Sequence, residues 1–122
     1  MEEQKPFPTS INLQQRLRRL VIAFEDGSEF ELGCELLRVY SPSAEVRGHG
    51  PGQEVLQTGK ETVNIVEIEP VGNYAVRLVF DDGHGSGLYS WDYLYDLGRH
   101  RDRYWRKYLD SLAAAGYERK SS

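Results

Sequence analysis

Apolar and polar residues alternate with a period of two near the start of the chain, a pattern typical of half-buried β-strands. The alternation runs through residues 11–13 and 20–24, and an Asp26-Gly27 pair then leads into residues 29–32. Asp-Gly between two alternating runs is a hairpin signal. The sequence therefore predicts three antiparallel strands, with a short turn over residues 14–16 between the first two.

A second set of strands is predicted in the middle of the chain. Residues 63–69 and 74–80 are two apolar runs separated by Gly72-Asn73, and residues 88–90 form a short final run. Before them, residues 34–40 have apolar positions at helical spacing, and this short helix ends ahead of a proline because the residue preceding proline avoids the α conformation. Residues 41–60 are rich in glycine and proline and predict one long loop.

Two helices are predicted after the last strand. Ser90 is a good N-cap, so the first helix begins at Trp91, and Gly98 is predicted to end it as the residue just beyond the helix. Residues 99–116 form an amphipathic helix whose apolar face consists of Tyr104, Trp105, Tyr108, Leu109 and Leu112. The order of elements predicts an α+β fold, with an antiparallel β-sheet of about six strands and with the short helix and the C-terminal helices packed on one face.

The same pattern divides the chain into four parts. Residues 1–8 are charged and turn residues and are expected to be disordered, and residues 9–98 form the folded domain. Residues 99–116 are the C-terminal amphipathic helix, and residues 117–122 are expected to be a flexible tail.

The composition indicates one folded domain. The chain has 122 residues, 39% of them hydrophobic, and its 15 basic and 19 acidic residues give a net charge of −4. This balance argues against disorder and against generic nucleic-acid affinity. Cys34 is the only cysteine, and no apolar run approaches the length of a membrane span. The sequence therefore predicts a cytoplasmic protein with no membrane association.

Two glycine-rich segments each contain a histidine, at His49 and His84. Glycine neighbours let a ring approach a ligand closely, and Asp81 and Asp82 place carboxylates beside the second histidine. One interpretation is a site for a divalent metal or small ligand that uses these four residues. The other is that they are ordinary turn residues, since no fixed metal-ligand spacing accompanies the histidines.

A cluster of cations surrounds the start of the last helix and comprises Arg99, Arg101, Arg103 and Lys107. On an amphipathic helix the aromatic residues face the core and the cations face solvent. The cluster is therefore predicted to be an interaction surface for an acidic protein partner. Nucleic acid is the weaker alternative, because the aromatic rings needed for base stacking point inward.

Three ordered runs of sequence resemble a known family: residues 36–46 (LLRVYSPSAEV), 81–84 (DDGH) and 88–94 (LYSWDYL). Together with the hairpin of residues 24–30, they are similar to the gamma-butyrobetaine hydroxylase-like N-terminal domain family, formerly a domain of unknown function. The similarity covers residues 9–98. The chain is expected to be a stand-alone member of the bacterial type.

The resemblance implies an accessory module and no enzyme. In the oxygenases that name the family, this domain precedes a separate catalytic domain dependent on 2-oxoglutarate and iron, and similar domains end certain iron–sulfur assembly ATPases. The expected function is a non-catalytic accessory or protein-interaction domain, with a protein partner in iron–sulfur assembly or an oxygenase pathway. The chain also lacks a complete iron-binding triad of two histidines and one carboxylate. Such a triad built from His100 would need a second histidine downstream, and no histidine follows His100.

The resemblance further implies a structural zinc, held by a Cys-Pro-Cys-x-x-Cys segment and one distant histidine. In this chain Ser41, Ser43 and Val46 stand at the cysteine positions, and His84 stands at the histidine position. Serine and valine do not replace the thiolates of a tetrahedral zinc site. The family zinc is therefore expected to be absent and no cofactor is expected, with another divalent metal as the alternative.

Overall fold

The computed structural model describes residues 6–48 and 52–120. Residues 1–5 of the segment expected to be disordered lie outside the described residues. The elements in chain order are β1 (Pro8–Gln14), a 3-10 turn (Gln15–Leu17), β2 (Arg19–Phe24), β3 (Glu29–Gly33), α1 (Cys34–Val39), α2 (Ala44–Arg47), β4 (Ile65–Val71), β5 (Ala75–Phe80), β6 (Leu88–Ser90), α3 (Trp91–Arg99) and α4 (Arg101–Ala114). Within the described ranges, no helix is long and apolar enough to cross a membrane.

The six strands form two antiparallel sheets of three strands each, in the orders β1-β2-β3 and β4-β5-β6. This confirms the α+β class and the number of strands, and it divides the predicted sheet in two. In the first sheet Ile22 pairs with Ile11 and Phe30, and in the second Val76 pairs with Pro70 and Tyr89. Within each sheet, every strand pairs with its neighbour in sequence. The turn signals at Asp26-Gly27 and Gly72-Asn73 predict the β2–β3 and β4–β5 pairings correctly.

Both sheets bury one face in a common core. The buried strand residues are Leu20, Ile22 and Phe24 in β2 and Val76, Leu78 and Phe80 in β5. Tyr89 of β6 is fully buried, and its hydroxyl donates a hydrogen bond of 2.6 Å to the carbonyl oxygen of Leu37 in α1. Burying this hydroxyl is tolerable because it has that acceptor.

Helix α1 is the most enclosed element, since all six of its residues are buried although two of them are charged. Glu35 forms a two-point ion pair with Arg119, at 2.8 and 2.5 Å, and accepts a hydrogen bond of 2.7 Å from the hydroxyl of Tyr108. Arg38 donates through Nε to Asp82 at 2.9 Å. Buried charges need such partners, so α1 brings the C-terminal segment and the β5–β6 loop against the core.

The long loop predicted over residues 41–60 contains one helical turn, α2. Ser43 caps it by accepting a hydrogen bond of 3.2 Å from the backbone N–H of Glu45. The prediction of a continuous loop is therefore wrong over α2. A helix of four residues is too short to show a helical period of apolar positions in the sequence, so the pattern did not reveal it. The available signal was the N-cap residue Ser43, which follows a proline.

Residues 117–120 of the predicted flexible tail make defined contacts. The hydroxyl of Tyr117 and the backbone N–H of Lys120 donate to the carboxylate of Glu61, at 3.0 and 2.8 Å. The guanidinium of Arg119 lies 5.3 Å from the ring centre of Trp105. How far this segment moves stays a prediction, and residues 121–122 lie outside the described residues.

Gly98 lies inside α3, which continues to Arg99. The prediction that Gly98 ends the helix is therefore wrong. A Cβ atom at this position would lie 2.3 Å from Cγ and 2.8 Å from Cβ of Phe30, so glycine is what allows α3 to pack closely on β3. Helix termination and close approach both favour glycine, and the sequence alone does not distinguish them.

We expect Gly98→Ala to destabilise the fold by about 1–3 kcal/mol, because the added methyl group overlaps the base of the Phe30 side chain. The direction of the stability change is informative. Helix propensity alone would make the alanine variant more stable, because alanine is favoured over glycine inside a helix by about 1 kcal/mol. Gly33→Ala is the matched control, because nothing lies within 4 Å of a Cβ at that position. Urea unfolding measures both variants, and a Gly98→Ala protein as stable as the wild type would contradict the packing.

We expect Arg119→Ala to lower the free energy of unfolding by about 1–2 kcal/mol, because it leaves the buried Glu35 carboxylate without its ion-pair partner. Glu118→Ala, an exposed neighbour in the same segment, should change stability by less than about 0.5 kcal/mol. Thermal and urea unfolding give the comparison. Equal effects of the two substitutions would show that the Arg119 contact contributes nothing.

Candidate functional site

His84 is the centre of a polar cluster between the α1–α2 segment and the loop that joins β5 to β6. Its Nε2 lies 2.8 Å from the hydroxyl oxygen of Ser41, and its Nδ1 lies 3.0 Å from a carboxylate oxygen of Glu45. Its backbone N–H donates to the carboxylate of Asp82 at 3.1 Å. The side chain is 3% exposed. Both ring nitrogens therefore have partners inside the protein.

The hydrogen bonds fix the protonation of the ring. An ionised carboxylate only accepts hydrogen bonds, so Nδ1 carries the proton that is donated to Glu45, and Nε2 accepts from the hydroxyl of Ser41. Burial, followed by the nearby Arg38 guanidinium, lowers the pKa of His84 below its ordinary value of 6.5, against the opposing effect of Glu45. The imidazole is therefore neutral at neutral pH.

Ser41, His84 and Glu45 have the order of a nucleophile, a general base and an orienting carboxylate. The surroundings of the hydroxyl do not fit that role, because Ser41 is only 1% exposed. A Cβ atom at Gly87 would lie 2.4 Å from its Oγ, so the chain also closes tightly over the oxygen. At this exposure the hydroxyl is not accessible to a substrate carbonyl. The three residues form a hydrogen-bond network between two segments, called the buried network below because Ser41 and His84 at its centre are buried, whereas the side chain of Glu45 is 70% exposed.

The charges next to the network are also paired. Asp82 accepts hydrogen bonds from Arg38 at 2.9 Å and from Lys60 at 2.6 Å. Burial alone would raise the pKa of Asp82, but the hydrogen bonds from Lys60, from the backbone of His84 and from Arg38 lower it to about 2. The hydroxyl oxygen of Ser43, which also caps α2, lies 2.7 Å from the hydroxyl oxygen of Ser86.

The structure brings only part of the predicted metal set together. Asp82 contacts His84 through the backbone, whereas the carboxylate of Asp81 accepts from the backbone N–H of Asn64 at 3.1 Å. His49 lies outside the described residues. Across residues 6–48 and 52–120, no three histidine, cysteine, aspartate or glutamate side chains are arranged to hold a metal ion. The convergence of His49 on His84 stays a prediction.

The positions that the family resemblance assigns to zinc ligands do lie near one another. Ser41 contacts His84, and the backbone N–H of Ser43 donates to the hydroxyl of Ser41 at 3.3 Å. These residues do not fit zinc, because the set offers a single imidazole, no thiolate, and a buried apolar side chain at Val46. The guanidinium of Arg38 next to His84 would further oppose a second cation.

The predicted cationic surface is divided by the structure. The side chain of Arg101 points towards β3, because it donates a hydrogen bond of 2.9 Å to the carbonyl oxygen of Glu31. The guanidinium carbon of Arg99 lies 5.9 Å from the ring centre of a tyrosine in α3. Arg103 and Lys107 are four residues apart and share one exposed face of α4. Neither forms an ion pair with a carboxylate in the part of the chain that the structure describes.

Sequence reasoning missed a groove of about 790 Å³ next to Lys107. It lies between the α1–α2 segment, residues 54–57, α3 and α4. Its apolar and aromatic lining consists of Val39, Tyr40, Val46, Val55, Leu56, Tyr93 and Tyr108. Val55 and Leu56 are 52% and 38% exposed. Two adjacent large apolar residues within a polar loop were the available signal.

Cys34 is fully buried at the start of α1, as unpaired cysteines commonly are. Burial raises the pKa of the thiol above its ordinary value. Its sulfur lies 3.7 Å from the side-chain oxygen of Asn64. A buried thiol whose thiolate form is disfavoured is a poor nucleophile.

The lowered pKa of His84 predicts a stability that falls in mild acid. Below about pH 6.5 the unfolded chain binds a proton at this histidine that the folded protein does not, so the free energy of unfolding falls by at most about 1.4 kcal/mol per pH unit. Denaturant unfolding from about pH 7.5 to about pH 5 measures the slope. His84→Gln should remove much of this pH dependence of stability. His100→Gln is the control and should retain it, because His100 is a half-exposed residue at a helix cap. Identical slopes in both variants would refute the assignment.

Comparison with known proteins assigns the family. The family model described as gamma-butyrobetaine hydroxylase-like, N-terminal, matches residues 11–95. One solution NMR structure is 55% identical, with 98% of this chain and 90% of that chain covered at a TM-score of 0.81. A second is 45% identical, with 98% and 95% covered at a TM-score of 0.82.

A crystal structure of a protein of unknown function from Acidithiobacillus ferrooxidans, assigned to the DUF971 family, is 38% identical to this chain. It covers 75% of this chain and 91% of its own, with a TM-score of 0.64. No curated protein matches. The family model spans most of the chain, and these relatives share both sequence and fold with it. The chain therefore belongs to the gamma-butyrobetaine hydroxylase-like N-terminal domain family, which is a domain family of unknown function.

Proposed function

We propose that this chain is a non-catalytic accessory domain that binds a protein partner through the exposed cationic face of α4. One observation carries the proposal: Arg103 and Lys107 share a helix face and have no ion-pair partner within the described residues. By contrast, Arg38 and Lys60 both form an ion pair with Asp82 beside the buried network. Arg103 and Lys107 are therefore available to pair with carboxylates of another molecule.

The electrostatics favour an acidic partner. The whole chain has a net charge of −4, so a cationic helix face makes its charge distribution strongly asymmetric. Such asymmetry steers an oppositely charged partner into one orientation and speeds its association. Exposed ion pairs of this kind weaken as salt is added, which gives the proposed interaction a measurable signature.

The family resemblance supplies the wider setting of the proposal. We place the domain in the cytoplasm, with a partner in iron–sulfur assembly or an oxygenase pathway, and assign it no enzymatic activity and no resident zinc. The buried network supports the last point, because zinc at His84 would have to displace the Ser41 hydroxyl from Nε2. The nucleic-acid alternative finds little support, because Tyr108 of α4 is buried and Tyr104 and Trp105 are packed against the core.

Site-specific crosslinking in the native host tests the proposal. A photo-crosslinking amino acid replaces Asp110, which is exposed on α4 three residues after Lys107, and, as a control, Glu67 on β4. We expect a specific protein to crosslink to the first position and not to the second. Lys107→Glu should weaken binding of that protein by about tenfold, whereas Arg16→Glu, an exposed charge reversal away from α4, should leave it unchanged.

Binding of the purified partner should also weaken as ionic strength rises, since the contact is charged. The proposal fails if no specific protein crosslinks at the α4 position. It fails equally if the partner binds Lys107→Glu and Arg16→Glu alike.

A further inference from the structure

The groove beside α4 has the composition of a recognition site. Its volume of about 790 Å³ lies within the range of about 300–1,000 Å³ typical of sites that enclose ligands. Three valines, one leucine and three tyrosines make up half of the residues that line it. Such an apolar concavity stabilises a bound apolar side chain by removing it from water.

One wall of the groove leaves large apolar side chains in water. Val55 is 52% exposed and Leu56 is 38% exposed, although other valines of the groove, such as Val46, are buried. The backbone N–H of Val55 donates to the carbonyl oxygen of Val46 at 2.8 Å. This hydrogen bond holds Val55 against α2, which lowers the entropy cost of ordering that wall on binding.

The charges at the groove select the class of occupant. Arg47 and Lys107 line it and, among the described residues, form no ion pair with a carboxylate; the one acidic residue in its lining is Glu54. Arg103 and Arg106 on the exposed side of α4 add further positive charge close to Lys107. An apolar floor with a cationic edge is complementary to a segment that has apolar side chains on one side and carboxylates on the other.

We infer that the groove binds an acidic amphipathic segment of the partner protein, with its apolar side chains against Val55 and Leu56 and its carboxylates near Arg47 and Lys107. The inference rests on the proposed function and deepens it, because Lys107 belongs both to the cationic face of α4 and to the groove. It assigns the apolar contact, which the charged face alone does not provide. In peptide-in-groove recognition these apolar anchors contribute most of the affinity.

Selection from a random library of 12-residue peptides displayed on phage tests the inference without a known partner. The full chain is the target. We expect the enriched peptides to be net negative and to combine carboxylates with large apolar residues. An NMR titration with the best synthetic peptide should shift the methyl signals of Val46, Val55 and Leu56.

Two matched pairs of variants test the position of binding. Val55→Ser should weaken the peptide by about tenfold, whereas Val66→Ser, an equally exposed valine on β4 at 53%, should leave it unchanged. Lys107→Gln should weaken binding several-fold, and Arg106→Gln, its exposed neighbour outside the groove lining, should weaken it less. Circular dichroism confirms that each variant is folded.

Several results would overturn the inference. These are a selection with no enriched peptide, enriched peptides that are neutral or basic, and peptides that bind Val55→Ser as well as wild type. Self-association that is lost in Val55→Ser would assign the groove to a second copy of the chain. A partner crosslinked at α4 whose binding is unaffected by Val55→Ser would refute the groove and preserve the proposed function. Peptide binding in the groove with no α4 partner would refute only the cationic face.

Discussion

The architecture depends on the burial of two opposite charges in one short helix. Glu35 and Arg38 are 8% and 7% exposed, and unpaired burial of either charge would cost several kcal/mol. Glu35 is therefore matched by Arg119 from the end of the chain, and Arg38 by Asp82 from the β5–β6 loop. The two ion pairs connect α1 to segments far away in sequence, which hairpins and local helices do not do.

The second of these ion pairs also positions the buried network. With Asp82 held by Arg38, the loop after β5 places His84 against Ser41 and Glu45, on the segment that follows α1. The result is a compact polar cluster whose hydrogen-bonding groups and charges are mostly used internally. One buried nitrogen, Nη1 of Arg38, has no hydrogen-bond partner in the described part of the chain.

The charged and apolar groups that the described part of the chain leaves uncovered are therefore on the surface of the molecule. The cationic face of α4 and the apolar groove beside it have charge and hydrophobic surface that no described part of the chain covers. Lys107 borders both. A domain whose buried polar groups mostly satisfy one another, and whose surface presents such a pair of features, is suited to binding another protein. That is the basis of the proposed function.

The sequence predicted what depends on neighbouring residues. The alternation around Leu20 and Leu78 predicts the strands, Asp26-Gly27 predicts the first hairpin, and the spacing of Tyr108 and Leu112 predicts the buried face of α4. These signals act over a few residues, where periodicity and turn chemistry are decisive.

What depends on distant residues was not predictable from these patterns. Helices α1 and α2 separate β3 from β4 along the chain, and no hairpin signal joins the two sheets. Gly98 gave a helix-end signal, although its role is to admit Phe30 from another element. For the site, the proximity of Ser41 and His84 followed from the family resemblance, whereas the partner of Arg38 and the apolar groove appear only when the chain is folded.

The nitrogen-15 chemical shifts of the His84 ring, measured at neutral pH with and without one equivalent of zinc, test the central claim most directly. The claim is that this buried network is complete without a ligand, with Nδ1 protonated towards Glu45 and Nε2 accepting from Ser41. The account predicts a neutral ring in that single tautomer, with shifts that zinc does not change. A charged ring, the opposite tautomer or a zinc-dependent shift at Nε2 would contradict it.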